Sequence, residues 1–137
     1  MGEIRTKVTL TNAADDVLQR RGQLAPADVR WLEADAVVET GDVRSVIPVH
    51  VAEQLDVRVR AHVLVRYADG RSESVGMTEP IIFECLHRTT AEEALVLGDT
   101  VLIGQTVLEK LDLLADCAGQ RLMPHPDRPD QPVSMLR

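Results

Sequence analysis

Aromatic residues are almost missing from this chain of 137 residues: one Trp, one Tyr and one Phe, or 2%. Any core must therefore be built from Val, Leu, Ile and Ala. Cysteine is equally scarce. Cys85 and Cys117 are too few and too isolated for a disulfide framework or a zinc site. No apolar run approaches the roughly 18 residues that a membrane span needs. The start, MGEIRTKVTL, lacks a basic region followed by an apolar stretch, so the expected location is cytoplasmic. Basic residues are the minority, 15 against 22 acidic, and the net charge of -7 argues against a nucleic-acid partner. What remains, 45% hydrophobic and 27% charged, is the balance of a soluble globular domain.

The dominant period is two, which indicates a mostly β chain. Ile4, Val8 and Leu10 alternate with Arg5 and Lys7. The clearest strand is Val57 to Tyr67. There Val57, Val59, Ala61, Val63, Val65 and Tyr67 face one way, and Arg58, Arg60, His62 and Arg66 the other, with Leu64 breaking the polar row. Asp69-Gly70 then tolerates positive φ and predicts a hairpin into Arg71 to Val75. Further strands are expected at Val29–Leu32, Ala36–Glu39, Ile81–Cys85, Ala94–Leu97, Val101–Ile103 and Arg121–Met123. The arginines at 58, 60 and 66 read as a solvated face paired with acidic neighbours.

Helical signals are short. Ser45-Val-Ile-Pro48 reads as a cap and first-turn proline leading into Val49–Leu55. Gln105 to Leu113 places Val107, Leu108, Leu111 and Leu114 at helical spacing, while Asn12 to Ala27 fits either a loop or a brief helix. The proline-rich end, residues 125–137, reads as an extended or frayed tail after a domain at 1–124. Two segments echo each other: Ala36 to Gly41 and Thr100 to Gly104 are apolar strands ending in glycine, each followed by a short helix.

The stretch AVVETGDVRSVIP carries the most chemical information. A strand delivers the Glu39 carboxylate, then Thr40 and Gly41 turn the chain, a turn that can aim backbone amides at the carboxylate. On composition alone Glu39 reads as a solvated residue at a strand end. His50, His62, His87 and His125 share no metal-ligand spacing with each other or with the cysteines, and Cys85 reads as a small core residue. No glycine-rich phosphate loop is present. The start also matches the short myristoylation pattern, a match expected by chance.

Taken in order, the motifs resemble those of the retropepsin-like aspartic proteases. The family pattern of two apolar residues, Asp, Thr or Ser, Gly and Ala, then Ser-Val-Leu-Pro, is similar to Val37-Val38-Glu39-Thr40-Gly41-Asp42 followed by Ser45-Val46-Ile47-Pro48. Ala68-Asp69-Gly70-Arg71 resembles the family's hairpin, and Gly76 the glycine after it. Leu102-Ile103-Gly104 with Leu108 and Leu111 resembles its Leu-Leu-Gly motif and helix, and Asp116 with Gly119 to Pro124 its closing turn and strand. The resemblance spans roughly residues 1–124. It implies an all-β closed barrel with one or two short helices, forming a homodimer around a cleft covered by a hairpin at Asp69-Gly70. It also implies a catalytic Glu39, Thr40 and Gly41, with Asp42, Ala68, Asp69, Gly70, Ile103 and Gly104 against a peptide or protein substrate, and neither metal nor cofactor.

The chain departs from the pattern where the chemistry lies. Glu39 replaces the family's Asp, and Asp42 its Ala. Two paired carboxyls sharing one proton can serve as base and acid in peptide hydrolysis. Glu has a similar intrinsic pKa but adds a methylene, about 1.5 Å of reach, and a misplacement of about 1 Å can cost on the order of a hundredfold in rate. Two functions therefore compete: an endopeptidase with a Glu pair, and a silent relative whose groove binds peptide or serves dimerisation.

Overall fold

Alternating apolar side chains on β1 (Arg5–Asn12) bury Val8 and Leu10 on one face of a sheet, and antiparallel pairing with β2 (Trp31–Val38) runs from Arg5 opposite Val37 to Thr11 opposite Trp31. The structure, a computed structural model, describes residues 3–137; the Met1-Gly2 start of the myristoylation-like pattern lies outside the described residues. The two strands expected at Val29–Leu32 and Ala36–Glu39 are one continuous strand, because every residue from Trp31 to Val37 has a partner on β1.

Asn12 ends β1 and explains the segment left open between loop and helix. Its side-chain oxygen accepts from the Asp15 amide at 3.0 Å, capping α1 (Ala13–Arg20). Its Nδ2 donates to the Leu55 carbonyl at 2.8 Å, at the far end of α2 (Val49–Leu55). Ser45 does not cap α2 as expected. It is buried ahead of β3 (Val46–Ile47), and Pro48 occupies the N-cap position.

The chain continues through β4 (Val59–Arg66), β5 (Ser72–Thr78), β6 (Ile81–Cys85), β7 (Arg88–Glu92), β8 (Leu95–Val96), β9 (Val101–Ile103), α3 (Gln105–Leu111), β10 (Leu113–Asp116) and β11 (Arg121–Pro124). Nine strands form one curled half-barrel sheet in the order β4-β5-β8-β3-β9-β2-β1-β6-β7, and β10 pairs with β11 separately. With three short α-helices and a 3₁₀ turn at Pro26–Asp28, the described residues carry more helix than the one or two expected. Leu114, expected on the helix, lies on β10 because Asp112 takes a left-handed conformation (φ 56°) and ends α3. The polar run Arg88–Glu92 forms a strand through antiparallel pairing with β6, a tertiary effect that its composition does not announce.

The core is aliphatic. Val8, Leu10, Ile47, Leu55, Ile81, Ile103, Val107 and Leu111 pack around Phe83, while Trp31 stays 63% exposed. The internal echo is structural: β2 and β9 lie parallel, with Ala36, Val37 and Val38 opposite Val101, Leu102 and Ile103. Each is followed by a seven-residue helix that ends on a left-handed Asp, Asp56 or Asp112.

Arg88 anchors the C-terminal residues. Its buried guanidinium donates to the carbonyls of Leu111 and Asp112, both at 3.0 Å, and of Arg128 and Pro129, both at 3.3 Å. Arg128 in turn forks onto Asp112 at 2.6 and 2.9 Å, and the Val133 amide donates to the same carboxylate. Residues 128–133 are thus held by the domain, although without regular secondary structure. Replacing Arg88 with Met should cost on the order of 1–3 kcal/mol in denaturant unfolding, because buried carbonyls lose their donor. The Arg128 hydrogen bonds hold the Asp112 carboxyl at about 2, below its ordinary 3.8. A carboxyl depressed in the folded state stabilises above its unfolded pKa, and that contribution fades as pH falls from about 4 toward about 2. The Val133 amide resonance should move over this window in the wild type and not in Asp112→Asn.

Candidate functional site

The loop after β2 runs along the outer end of β9 and is tied to it and to the start of α3 at several residues. The Glu39 amide donates to the Ile103 carbonyl at 2.9 Å, and the Asp42 amide turns back onto the Glu39 carbonyl at 3.2 Å. The Gln105 amide then donates to the Asp42 carbonyl at 2.8 Å, and the Thr106 amide to the Val43 carbonyl at 3.1 Å. The Thr106 hydroxyl lies 2.9 Å from the same Val43 oxygen and 2.6 Å from the buried Glu92 carboxylate, which Lys110 neutralises at 3.0 Å. Finally, the Gly104 amide donates to Ser45 Oγ at 2.9 Å, and the Leu95 amide to the Ser45 carbonyl at 3.0 Å.

Glu39, Thr40, Gly41 and Asp42 are exposed together on a turn anchored through the backbone of Glu39 and Asp42. The expected aiming of amides at the carboxylate is not what the turn does: the Asp42 amide is spent on the Glu39 backbone carbonyl. The Glu39 side chain instead folds over Gly41, with Oε1 3.5 Å from where a Cβ on that glycine would stand.

Facing the loop is the β4–β5 hairpin. Gly70 takes φ 92° and its amide donates to the Tyr67 carbonyl at 3.0 Å, as the Asp-Gly signal predicts. Asp69 accepts from the Arg71 amide at 2.9 Å and from its Nε at 2.7 Å, which lowers the Asp69 pKa. The Arg71 guanidinium stacks 4.8 Å from the Tyr67 ring centre, and the Tyr67 hydroxyl donates to Glu73. Between hairpin and loop lies a groove of about 710 Å³. Gly41, Asp42 and Ala68 line it. Asp69 and Gly70 shape the hairpin tip without lining it.

The two β9 residues take other positions. Ile103 is fully buried in the core, and its neighbour Leu102 faces the groove instead. Gly104 works from behind: a Cβ there would stand 2.5 Å from the Arg44 carbonyl carbon. Sequence reasoning missed Leu102, the Val46, Val63, Val65 and Leu95 wall, and Arg44 and Arg66 on the rim. The outward row of β4 arginines also departs from expectation. Arg60 pairs with Glu93 at 3.4 Å, whereas Arg66 donates only to Ser72 Oγ and the Arg58 amide, not its side chain, meets Glu79.

No grouping of three or more metal-ligating side chains occurs among the described residues, nor is any helix there long and apolar enough to cross a membrane. Cys85 is buried, and burial with the nearby Glu84 charge pushes its thiol up to about 11, the behaviour of a core residue rather than a nucleophile. Gly104→Ala should lower stability by about 1–3 kcal/mol, because backbone rather than a side-chain tip blocks the new methyl. Ser45→Ala should cost on the order of 1–3 kcal/mol by orphaning the Gly104 amide. Denaturant titration checks both, and hydrogen exchange at residues 41–45 should rise in both variants.

The chain matches no family model and no curated protein. Among solved structures it is similar to the retroviral protease-like domain of Ddi1 from Leishmania major, at 16% identity and a TM-score of 0.58, over 92% of this chain and 90% of that one. The EIAV protease in complex with the inhibitor HBY-793 matches at 19% identity over 56% of this chain and 75% of that one, with a TM-score of 0.47. The likeness to the Ddi1 domain extends over nearly the whole of both chains, and the fold is that of the retroviral protease-like domains.

Proposed function

We propose that this chain is an aspartic-type endopeptidase-like protein, acting as a homodimer in the cytoplasm, in which Glu39 of two chains forms one carboxyl pair. The observation that carries the reading is an exposed carboxylate, Glu39, whose side chain lies over Gly41; Gly41 and Asp42 line the groove beside the hairpin, although Glu39 and Thr40 themselves do not. Among the described residues β4 pairs only with β5, so its other edge offers free backbone donors and acceptors to an extended peptide. The internal echo explains the need for a second chain. Opposite Val38-Glu39, β9 continues as Ile103-Gly104, so the second half of the fold supplies no carboxylate. An isologous dimer is the simplest way to provide one, and it would also complete the barrel and the cleft. Thr40 would then bridge the two turns through its hydroxyl.

In such a pair one proton is shared, because two adjacent negative charges are costly. The ionised Glu39 takes a proton from water as the water oxygen attacks the peptide carbonyl carbon. The protonated Glu39 gives its proton to the carbonyl oxygen. Collapse of the tetrahedral species breaks the C–N bond and returns a proton to the leaving amine. Asp42, Ala68 and the hairpin tip at Asp69-Gly70 would border the bound peptide.

A second reading has its own support. Among the described residues no hydrogen bond fixes the Glu39 carboxylate, and Asp42 adds a second carboxylate to each turn; both favour a peptide-binding module without catalysis. Peptide cleavage from about pH 3 to 7 separates the two. The endopeptidase reading expects cleavage by wild type, at least equal cleavage by Glu39→Asp, and none by Glu39→Gln. Silence of wild type and Glu39→Gln with cleavage by Glu39→Asp selects the binding module. Full cleavage by Glu39→Gln removes Glu39 from the chemistry. Sedimentation should give about 30 kDa, two chains of 15.1 kDa.

A further inference from the structure

The groove is chemically two-sided. Val46, Val63, Val65, Leu95 and Leu102 form an aliphatic wall, most of it a small cluster separate from the main core. On the rim stand Arg44, from the Glu39 loop, and Arg66, from the end of β4. Among the described residues neither arginine has a carboxylate within ion-pair distance; Arg44 is exposed, and Arg66 reaches only the Ser72 hydroxyl at 3.4 Å. Most other cations are matched: Arg5, Lys7, Arg20, Arg30, Arg60, Arg71, Lys110, Arg121 and Arg128 all sit in ion pairs. In a protein of net charge -7, two arginines without a carboxylate partner border one groove, Arg66 from the outward face of β4 at its end, with Asp42 the single acidic residue lining it.

Resting on the peptide-groove reading above, we propose that Arg44 and Arg66 are specificity residues that select an acidic side chain in the bound peptide, next to an aliphatic one. The aliphatic residue seats on the valine and leucine wall, where burial is favourable at roughly 25 cal/mol per Å². The carboxylate of a nearby Asp or Glu meets the guanidinium forks, which suit its planar, two-oxygen geometry. A neutral amide of the same shape leaves both arginines unmatched, and a lysine adds like charge.

The test uses the full chain carrying Glu39→Gln, so that binding is read without cleavage. Fluorescence anisotropy compares three labelled peptides of identical length, each with a central Val-Leu pair flanked by Glu, Gln or Lys. The Glu peptide should bind at least tenfold more tightly than the Gln peptide, and the Lys peptide more weakly still. The preference should shrink as salt rises and vanish in Arg44→Gln/Arg66→Gln. Arg44→Lys/Arg66→Lys should keep a reduced preference, which separates lost charge from lost folding. Equal binding of Glu and Gln peptides, or a preference that survives the double Gln variant, overturns the acidic specificity and leaves the peptide groove standing. Binding of none of the three overturns the groove reading as well.

Discussion

The site depends on one close approach, the passage of the Arg44–Ser45 backbone across Gly104. The glycine has no Cβ to hold the strands apart, and its amide satisfies the buried Ser45 hydroxyl at 2.9 Å. Once that crossing is made, the amides of Gln105 and Thr106 fall opposite the carbonyls of Asp42 and Val43. The turn bearing Glu39 is therefore positioned in part by the start of a helix 63 residues later in the chain. Its side chains are left free because it is held through backbone groups of Glu39, Asp42 and Val43.

Two halves of similar design meet at that crossing. β2 and β9 run parallel at the centre of the sheet, and α2 and α3 both end on an Asp in the left-handed region. The halves have diverged in what surrounds them. Asn12 closes the first helix with its amide, while Arg88 closes the second with its guanidinium and carries the tail as well. The first half ends its strand in a carboxylate and the second in a glycine. Divergence of this kind lets one half present an exposed carboxylate while the other supplies support.

Much of this was legible in the residue pattern. Period-two alternation located β1, β4, β6 and β9, because each has one face on an aliphatic layer. The Asp69-Gly70 turn and the glycines after β2 and β9 were legible for the same local reason: they sit where the backbone needs them. A wholly polar strand, and the continuity of a strand whose pattern is interrupted, were not. Arg88–Glu92 is a strand only because β6 is beside it, and Trp31–Val38 is continuous only because β1 is. The turn with Glu39 could be found from sequence, but the wall opposite it could not. Val46, Leu95 and Leu102 come from three different strands, and only sheet order brings them together. Ile103 was misplaced by one step of the pleat, which sends adjacent side chains to opposite faces.

The sheet order also bears on how the molecule comes into being. β3 lies between β8 and β9, strands that are made some fifty residues after it. Until the ribosome has released those later segments, Val46 and Ile47 have no neighbours and the loop ahead of them has nothing to hold it. Such long-range closure is slow to nucleate. A nascent chain lacks the partners of its carboxyl-bearing turn until residues 95–106 have been made, so that turn is fixed only after the later strands arrive.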